Sequence, residues 1–308
     1  MDHEGISQTA IAARDHLLAQ PGFPADLALL DRFVREAPSW GPLDHYKVFA
    51  PAAGEIVAMV RDKGGEADAR AFLRAAILHG VATSLAGPRF AVLPARVKAQ
   101  QLRQFERMSA DTDPGAEWLN LEHDLFRKDF GLAIVRLYAA GSRLVDPRCG
   151  VPRSMLWRGT PRDWLRCATT LFGLGGFRPY FQVHTHTFML DAFNVEGSNE
   201  LYRCCAELYD LYPEVLGTYG ASWFYDPAVT RVSPRLGYLR EVPESGGART
   251  LYMSTGGQAL KNALAKSDTR RRLFEAGEYV PKIYMIIWGR EKQKAWARAN
   301  PGLSELAA

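Results

Sequence analysis

The sequence has few cysteines, no long apolar run and little excess charge of either sign. Its four cysteines are Cys149, Cys167, Cys204 and Cys205, and their spacing matches neither a disulfide scaffold nor a zinc-binding pair. No stretch approaches the roughly 18 to 20 apolar residues of a membrane span. These absences exclude a disulfide-stapled secreted domain and a transmembrane protein, and they favour free thiols in a reducing compartment.

The charge is nearly balanced, because 38 Lys and Arg residues oppose 34 Asp and Glu residues, for a net charge of +4. The densest basic run, at 270–272, is too short for the basic stripe typical of nucleic-acid binders. The first residues lack the basic and apolar regions of a secretory signal. We therefore expect a cytoplasmic protein that acts on a small molecule and binds neither nucleic acid nor membranes. A homo-oligomer is compatible with the sequence.

Apolar residues at helical spacing dominate the first part of the chain. The predicted helices cover 10–20, 26–36, 52–62, 67–84, 93–109 and 116–129. Alternating strand patterns are nearly absent from this part. Residues 1–129 are therefore predicted to form a helical bundle or cap.

The pattern changes near position 130, after which predicted strands alternate with predicted helices. Strands are predicted over 132–138, 178–187, 219–225, 236–240, 249–253 and 282–288, and helices over 160–172, 198–213 and 258–276. The predicted fold class is therefore α/β, with mixed α+β as the alternative: a helical N-terminal half followed by a sheet domain over 130–308. We expect this second domain to carry the active site.

The strand predicted over 178–187 carries two histidines on one face. Because side chains alternate along a strand, one face presents Tyr180, Gln182, His184 and His186, and the other presents Phe181 and Val183. Two imidazoles in this relation suit one transition-metal ion. Asp191 is the nearest carboxylate, and Glu196 and Asp226 are the alternatives. The leading prediction is a metal site of His184, His186 and Asp191 in a small-molecule oxidoreductase, with Fe(II) as the candidate metal. The alternatives are metal-free acid–base histidines or a structural polar face.

A second predicted strand, over 219–225, would bring further polar groups to the same region. If it neighbours the histidine strand, Ser222 and Asp226 lie near the imidazoles, at the strand ends where α/β proteins bind ligands. The predicted catalytic residues are accordingly His184, His186 and Asp226. The predicted substrate-binding residues are Tyr180, Gln182, Ser222, Trp223 and Arg271. The alternative is an aromatic core strand in which Asp226 starts a turn.

The segment from Ser267 to Tyr279 contains a helix with Leu-Phe-Glu, a glycine and an aromatic residue, and an apolar strand follows it. This order resembles the end of the GNAT acyltransferase fold, and the helix over 198–213 is similar to that fold's coenzyme A helix. The resemblance implies an acyl-CoA-dependent acyltransferase as the alternative to a metal-dependent enzyme. The turn over 193–199 departs from the family pattern, since it has one glycine and an acid. A non-catalytic protein that binds a partner through the aromatics of 219–225 is the third alternative.

Overall fold

A computed structural model describes residues 3–41, 44–111, 113–265 and 267–302. The chain divides into two compact units, each of which gathers several segments of sequence. The first comprises Met1–Ala140, Leu144–Arg148 and His186–Leu190, and the second comprises Gly141–Arg143, Cys149–Thr185 and Asp191–Ala308. The boundary therefore falls near Ala140, whereas the sequence predicts it near position 129. Within the described residues, no helix combines the length and apolarity needed to cross a membrane.

The first unit is mostly helical, as the sequence predicts. Its helices are α1 (His3–Leu18), α2 (Leu27–Glu36), α3 (Pro51–Leu85), α4 (Pro88–Ala91), α5 (Ala95–Ala110) and α6 (Asp124–Ala133). Two strands follow, β1 (Tyr138–Ala140) and β2 (Arg143–Cys149), and both ends of β2 belong to the second unit. Helix α3 is interrupted at Gly65, whose φ of 88° is not helical, and the break falls between the two helices predicted there.

The strand predicted over 132–138 is wrong, because α6 continues through Ala133 and only Tyr138 lies in a strand. Phe126 and Phe130 lie four residues apart on one face of α6, and their ring centroids are 5.6 Å apart. Both rings are buried in the core of the first unit, which stabilises the helix against the strand propensity of the branched residues after it. Helix α6 also begins later than the helix predicted over 116–129.

The second unit alternates helices and strands, and this confirms the predicted α/β fold class. Its helices are α7 (Pro161–Gly173), α8 (Val195–Leu208), α9 (Val229–Val232), α10 (Tyr238–Ser245), α11 (Gln258–Leu264), α12 (Asp268–Glu275) and α13 (Arg290–Ala299). Its strands are β3 (Tyr180–Thr185), β4 (Gly217–Ser222), β5 (Arg249–Thr255) and β6 (Lys282–Gly289). Short 3-10 helices lie over Arg153–Trp157, Thr187–Ala192, Trp223–Tyr225 and Pro234–Leu236.

The sheet of the second unit is mixed, with the strand order β3-β4-β6-β5. Strands β3 and β4 are parallel, with Phe181 opposite Thr218 and Gln182 opposite Tyr219. Strand β6 is antiparallel to both β4 and β5. The last four side chains before Gly289 on β6 are all buried, which agrees with the strand buried on both faces that its apolar sequence predicts.

Helices cover both faces of this sheet. On one face the ring of Phe181 stacks on Tyr209, directly after α8, with centroids 5.0 Å apart. The Tyr209 hydroxyl also lies 2.9 Å from Thr218 Oγ1 of β4 and donates to Gln293 of α13 over 2.7 Å. On the other face a buried core joins Tyr180 and other strand residues to α7. The second unit is therefore a three-layer arrangement of helix, sheet and helix.

Local signals in the second unit are confirmed in part. The segment Thr160-Pro161-Arg162-Asp163 predicts a capped helix start, and the structure confirms it, since the Asp163 carboxylate accepts from the Thr160 N–H over 2.9 Å at the start of α7. The strand predicted over 236–240 is wrong, because helix α10 occupies this part of the chain. The helix predicted over 258–276 is divided into α11 and α12. The strand predicted over 219–225 ends at Ser222, after which a 3-10 turn redirects the chain.

Candidate functional site

The parallel strands β3 and β4 give the second unit a natural place for a ligand. Their register covers the pairs Phe181–Thr218 and Gln182–Tyr219, and the strands then continue to Thr185 and Ser222. In α/β sheets, ligands bind outside the carboxyl ends of such strands. Gly220 lies in this part of β4. A Cβ there would come within 2.6 Å of Val183 and 3.0 Å of the Tyr225 hydroxyl, so glycine permits the close packing of these groups.

Arg143, the first residue of β2, is the most unusual charged side chain of the second unit. It is 1% exposed, and an arginine side chain keeps its positive charge when buried. Its Nη1 donates a hydrogen bond to the Tyr225 hydroxyl. Its Nε and Nη2 have no hydrogen-bond partner within the part of the chain that the structure describes. A buried cation with two unused donors is costly unless another group compensates for it.

Three aromatic rings surround the Arg143 guanidinium. Its central carbon lies 5.0 Å from the ring centroid of Phe224, 5.4 Å from that of Phe193 and 5.6 Å from that of Tyr225. The Phe193 and Phe224 rings also contact each other edge to face, with centroids 5.7 Å apart. Each ring offers a cation–π attraction of about 0.5–2 kcal/mol, which offsets part of the cost of burying the charge.

Two further tyrosine hydroxyls belong to this environment, those of Tyr202 on α8 and Tyr238 on α10. The Tyr238 hydroxyl has no hydrogen-bond partner among the described residues, whereas the Tyr202 hydroxyl interacts with that of Tyr225. Burial raises the pKa of both hydroxyls, and the charge of Arg143 acts in the opposite direction on each pKa. Both therefore remain protonated at neutral pH, and the Tyr238 hydroxyl is available as a donor. We call Arg143, Tyr202, Tyr225 and Tyr238 together with the rings of Phe193 and Phe224 the arginine pocket.

Other buried arginines of the second unit are satisfied by the protein itself. Arg270 donates to the Ala263 carbonyl over 2.5 Å and to Ser233 Oγ over 2.9 Å, and it lies 4.4 Å from the Trp223 ring. Arg203 forms an ion pair with Glu196 at 2.5 Å. Arg143 differs from both, because among the described residues it has no carboxylate or carbonyl as acceptor.

The predicted ligand His186 lies in the first unit and is fully engaged there. Its Nε2 is 3.0 Å from Asp129 Oδ1, and its Nδ1 accepts a hydrogen bond from the Phe188 N–H over 3.2 Å. Because Nδ1 accepts, we assign the proton to Nε2, which then donates to Asp129. Neither ring nitrogen has a lone pair left for a metal in this arrangement. His184 is half-buried in the second unit, and a metal site with His184, His186 and Asp191 stays a prediction.

Asp129, which orients His186, is itself held by a second partner. Arg107 donates to its two oxygens over 2.5 and 3.1 Å, and Asp129 is fully buried. Burial alone raises the pKa of Asp129, but the hydrogen bond from His186 and the charge of Arg107 hold this pKa below its usual value. The Phe188 ring lies 4.6 Å from the Arg107 guanidinium and closes this buried cluster.

The predicted carboxylates occupy different environments. Asp226 is buried, and its Oδ1 accepts from the Ala228 N–H over 3.0 Å while its Oδ2 accepts from the Lys282 N–H over 3.1 Å. The Oδ1 contact agrees with the alternative prediction that Asp226 starts a turn, and the Oδ2 contact ties this turn to the start of β6. Asp191 is exposed on the 3-10 turn after β3.

The predicted substrate-binding residues are dispersed through the second unit. The Tyr180 hydroxyl is buried and donates to the Gly176 carbonyl over 3.0 Å, and Gln182 accepts from the Tyr219 hydroxyl over 2.8 Å. Ser222 is opposite Tyr284 at the end of β4, and Trp223 lies against Arg270. Arg271 is exposed and pairs with Asp268 within α12. The described contacts do not bring these five residues into one cluster.

Sequence reasoning missed the arginine pocket. The available signal was a charged residue, Arg143, between a Gly-Ser turn and the apolar pair Leu144-Val145. A charged residue at the start of a buried strand is fully buried only where another group compensates its charge. The aromatics come from distant positions in sequence, so no local motif joins them to it.

No protein-family model matches the chain, and neither the curated proteins nor the solved structures compared with it give a match. Function must therefore be argued from the geometry and chemistry of the residues themselves.

Proposed function

We propose that the second unit transfers an acyl group from a pantetheine-type thioester to a small acceptor molecule. The observation that carries the proposal is the β3–α8–β4 arrangement, in which a helix connects two neighbouring parallel strands. The resemblance to GNAT acyltransferases requires a coenzyme A helix that follows a strand, and α8 follows β3. The late helix α12 and the closing strand β6 supply the other elements of that resemblance.

The carboxyl ends of β3 and β4 suit a linear, amide-bearing ligand. The register of the two strands covers Phe181–Thr218 and Gln182–Tyr219, and Val183 still lies against Gly220 at the next pair of positions, so a ligand would lie beyond this contact, at the strand ends at Thr185 and Ser222. A peptide-like arm at these ends can use main-chain hydrogen bonds in the manner of an added strand. The two amide groups of pantetheine suit this kind of recognition.

The first turn of α8 argues against strong recognition of a pyrophosphate. The Asn194 side chain caps the helix by accepting a hydrogen bond from the Gly197 N–H over 2.9 Å, so this backbone donor is not available to an anion. Glu196 adds a negative charge in the same turn. Both features work against a bound anion at this helix end. We therefore assign the affinity to the pantetheine arm, and the phosphates of coenzyme A contribute little.

The proposed reaction balances without a redox partner. A lone pair on the acceptor nitrogen attacks the thioester carbonyl, the C–N bond forms, the C–S bond breaks and the thiolate leaves with the electron pair. The nitrogen loses one proton, and the thiolate gains one from solvent. His184, half-buried near the carboxyl end of β3, is the proposed proton acceptor.

Thiol release tests this proposal directly. The wild-type protein is incubated with acetyl-CoA or S-acetylpantetheine and a panel of small amines, and free thiol is followed over time. We expect amine-dependent release with both donors. The two kcat/KM values should agree within about tenfold, which corresponds to about 1.4 kcal/mol. If the protein bound the phosphates of acetyl-CoA, S-acetylpantetheine would lose those contacts and its kcat/KM would fall by more than this factor. His184→Gln is expected to lower kcat, whereas His16→Gln, on an exposed position of α1, serves as the matched control.

Absence of thiol release together with absence of saturable coenzyme A or pantetheine binding at millimolar concentration would refute the proposal. A strong preference for acetyl-CoA would refute the assignment of affinity to the pantetheine arm.

A further inference from the structure

We infer that the arginine pocket binds the carboxylate of a small organic molecule. The inference deepens the proposed acyl transfer, on which it rests for the role of that molecule as the acceptor. The acceptor would then carry a carboxylate in addition to its nucleophilic nitrogen, as an amino acid does. The binding step itself can be measured without any acyl donor.

The first argument is the geometry of the unused guanidinium edge. Arg143 Nη1 is occupied by the Tyr225 hydroxyl, whereas Nε and Nη2 have no partner among the described residues. The N–H bonds of Nε and Nη2 run side by side along one edge of the planar group. A carboxylate accepts two parallel hydrogen bonds from this edge, and such bidentate pairs are the strongest that arginine makes.

The second argument is charge balance. Arg143 is 1% exposed, so water cannot screen its charge, and no carboxylate of the described residues pairs with it. The three rings around it attract the cation but accept no hydrogen bond along the guanidinium plane. An anionic ligand supplies both the missing charge and the missing acceptors, which explains why a cation persists here.

The third argument is the set of neutral donors beside the cation. The Tyr238 hydroxyl is buried without a partner, and burial raises its pKa, so it keeps its proton. Ser198, one helical turn before Tyr202 on α8, is also fully buried with an unpartnered hydroxyl. Buried polar groups without partners require an explanation, and a bound ligand that accepts their hydrogen bonds supplies one.

The surrounding rings favour a carboxylate over a phosphate. A monoanionic carboxylate attached to an apolar body loses less hydration on entering an aromatic enclosure than a dianionic phosphate does. The half-buried rings of Phe193 and Phe224 then lie against the apolar body of the ligand. Benzoate combines a planar carboxylate with an aromatic body and is therefore the probe that we choose.

Calorimetry and ligand-detected NMR with the full chain test the inference in the absence of any thioester. Benzoate is expected to bind saturably to the wild type, acetate more weakly and inorganic phosphate more weakly than benzoate. Arg143→Lys keeps the charge but removes the bidentate edge, so we expect about tenfold to a hundredfold weaker benzoate binding. Tyr238→Phe is expected to weaken binding by up to about tenfold, since it removes one neutral hydrogen bond.

Tyr279→Phe is the matched control, because Tyr279 is also buried with an unpartnered hydroxyl but lies outside the arginine pocket. It should leave benzoate affinity unchanged. If Arg143→Lys does not fold, the comparison of Tyr238→Phe with Tyr279→Phe decides the question. The inference is overturned if wild-type protein binds no benzoate at tens of millimolar, if phosphate binds more tightly than benzoate, or if the two tyrosine variants bind equally well.

The two proposals can fail separately. Benzoate binding without thiol release would support the carboxylate site and refute the proposed acyl transfer. Thiol release with simple amines, without carboxylate binding, would support the acyl transfer and refute the inference that the acceptor carries a carboxylate.

Discussion

Replacing Asp129 by asparagine removes the charge at the centre of the buried cluster in the first unit. The carboxylate is fully buried and accepts hydrogen bonds from His186 over 3.0 Å and from Arg107 over 2.5 and 3.1 Å. An asparagine side chain has nearly the same shape as aspartate, but its NH2 group replaces one of the two acceptor oxygens. This group then faces an N–H donor of His186 or Arg107. Removing one partner of a buried ion pair costs about 3–5 kcal/mol. The Arg107 side chain is 22% exposed and regains some hydration, so we expect a loss near the lower limit of that range.

Urea unfolding at pH 7 measures this loss. With a slope of about 2 kcal/mol per molar urea, a loss of ~3 kcal/mol lowers the midpoint of the first unit by about 1.5 M. Glu66→Gln, in the exposed ion pair with Arg61, is the control and should show no resolvable loss. A decrease in the unfolding free energy below about 0.5 kcal/mol would show that the cluster does not stabilise the fold and would refute the reasoning.

The same variant gives a pH dependence of known sign. The pKa of Asp129 is lower in the folded protein than in the unfolded chain. Its contribution is therefore fully present above the unfolded value of about 4 and is lost as the pH falls through the lower folded value. The difference in unfolding free energy between wild type and Asp129→Asn should be constant above about pH 5 and should shrink below about pH 4. A difference that grows on acidification would contradict this assignment.

Three further predictions concern the second unit. In Gly220→Ala the new Cβ would lie 2.6 Å from Val183 and 3.0 Å from the Tyr225 hydroxyl. We expect a loss of about 1–3 kcal/mol of unfolding free energy, measured by thermal unfolding, and weaker benzoate binding, measured by calorimetry. Thr160→Ala should cost about 1 kcal/mol of unfolding free energy through loss of the α7 cap, and an unchanged melting temperature would contradict it. Burial raises the pKa of the Cys205 thiol to about 12, so native protein should not react there with a thiol reagent at pH 8, whereas protein unfolded in urea should. Rapid native labelling of Cys205, identified by mass spectrometry, would contradict the last prediction.

The sequence predicted best those features that depend on local chemistry. The cap at Thr160 follows from four consecutive residues, and the buried strand β6 follows from an uninterrupted apolar run. The break in α3 follows from the glycine pair that includes Gly65. The strand predicted over 132–138 was wrong because branched residues have strand propensity, whereas packing of Phe126 and Phe130 in the first unit extends the helix to Ala133.

The candidate site was harder to predict, because its parts meet only through the tertiary fold. The alternation along β3 identified His184 and His186 as two polar residues in a strand context, but it contained no information about their neighbours. Asp129, 57 positions earlier, occupies one ring nitrogen of His186. The backbone of the turn at Phe188 occupies the other. Of the two histidines predicted as metal ligands, His186 therefore has both ring nitrogens in hydrogen bonds within the first unit.

Arg143 presents the opposite case, in which an ordinary residue in sequence becomes exceptional in the fold. Its rings come from positions 193, 224 and 225, and the unpartnered hydroxyl beside it comes from Tyr238. Nothing in the spacing of these residues brings them together. The burial of a permanent charge with two of its donor nitrogens unpartnered can be recognised only after the chain has folded. The proposed carboxylate site therefore rests on unsatisfied donors and not on the residue types that usually mark a catalytic centre. Titration of wild type and Arg143→Lys with benzoate tests whether the unpartnered edge of this guanidinium binds a carboxylate.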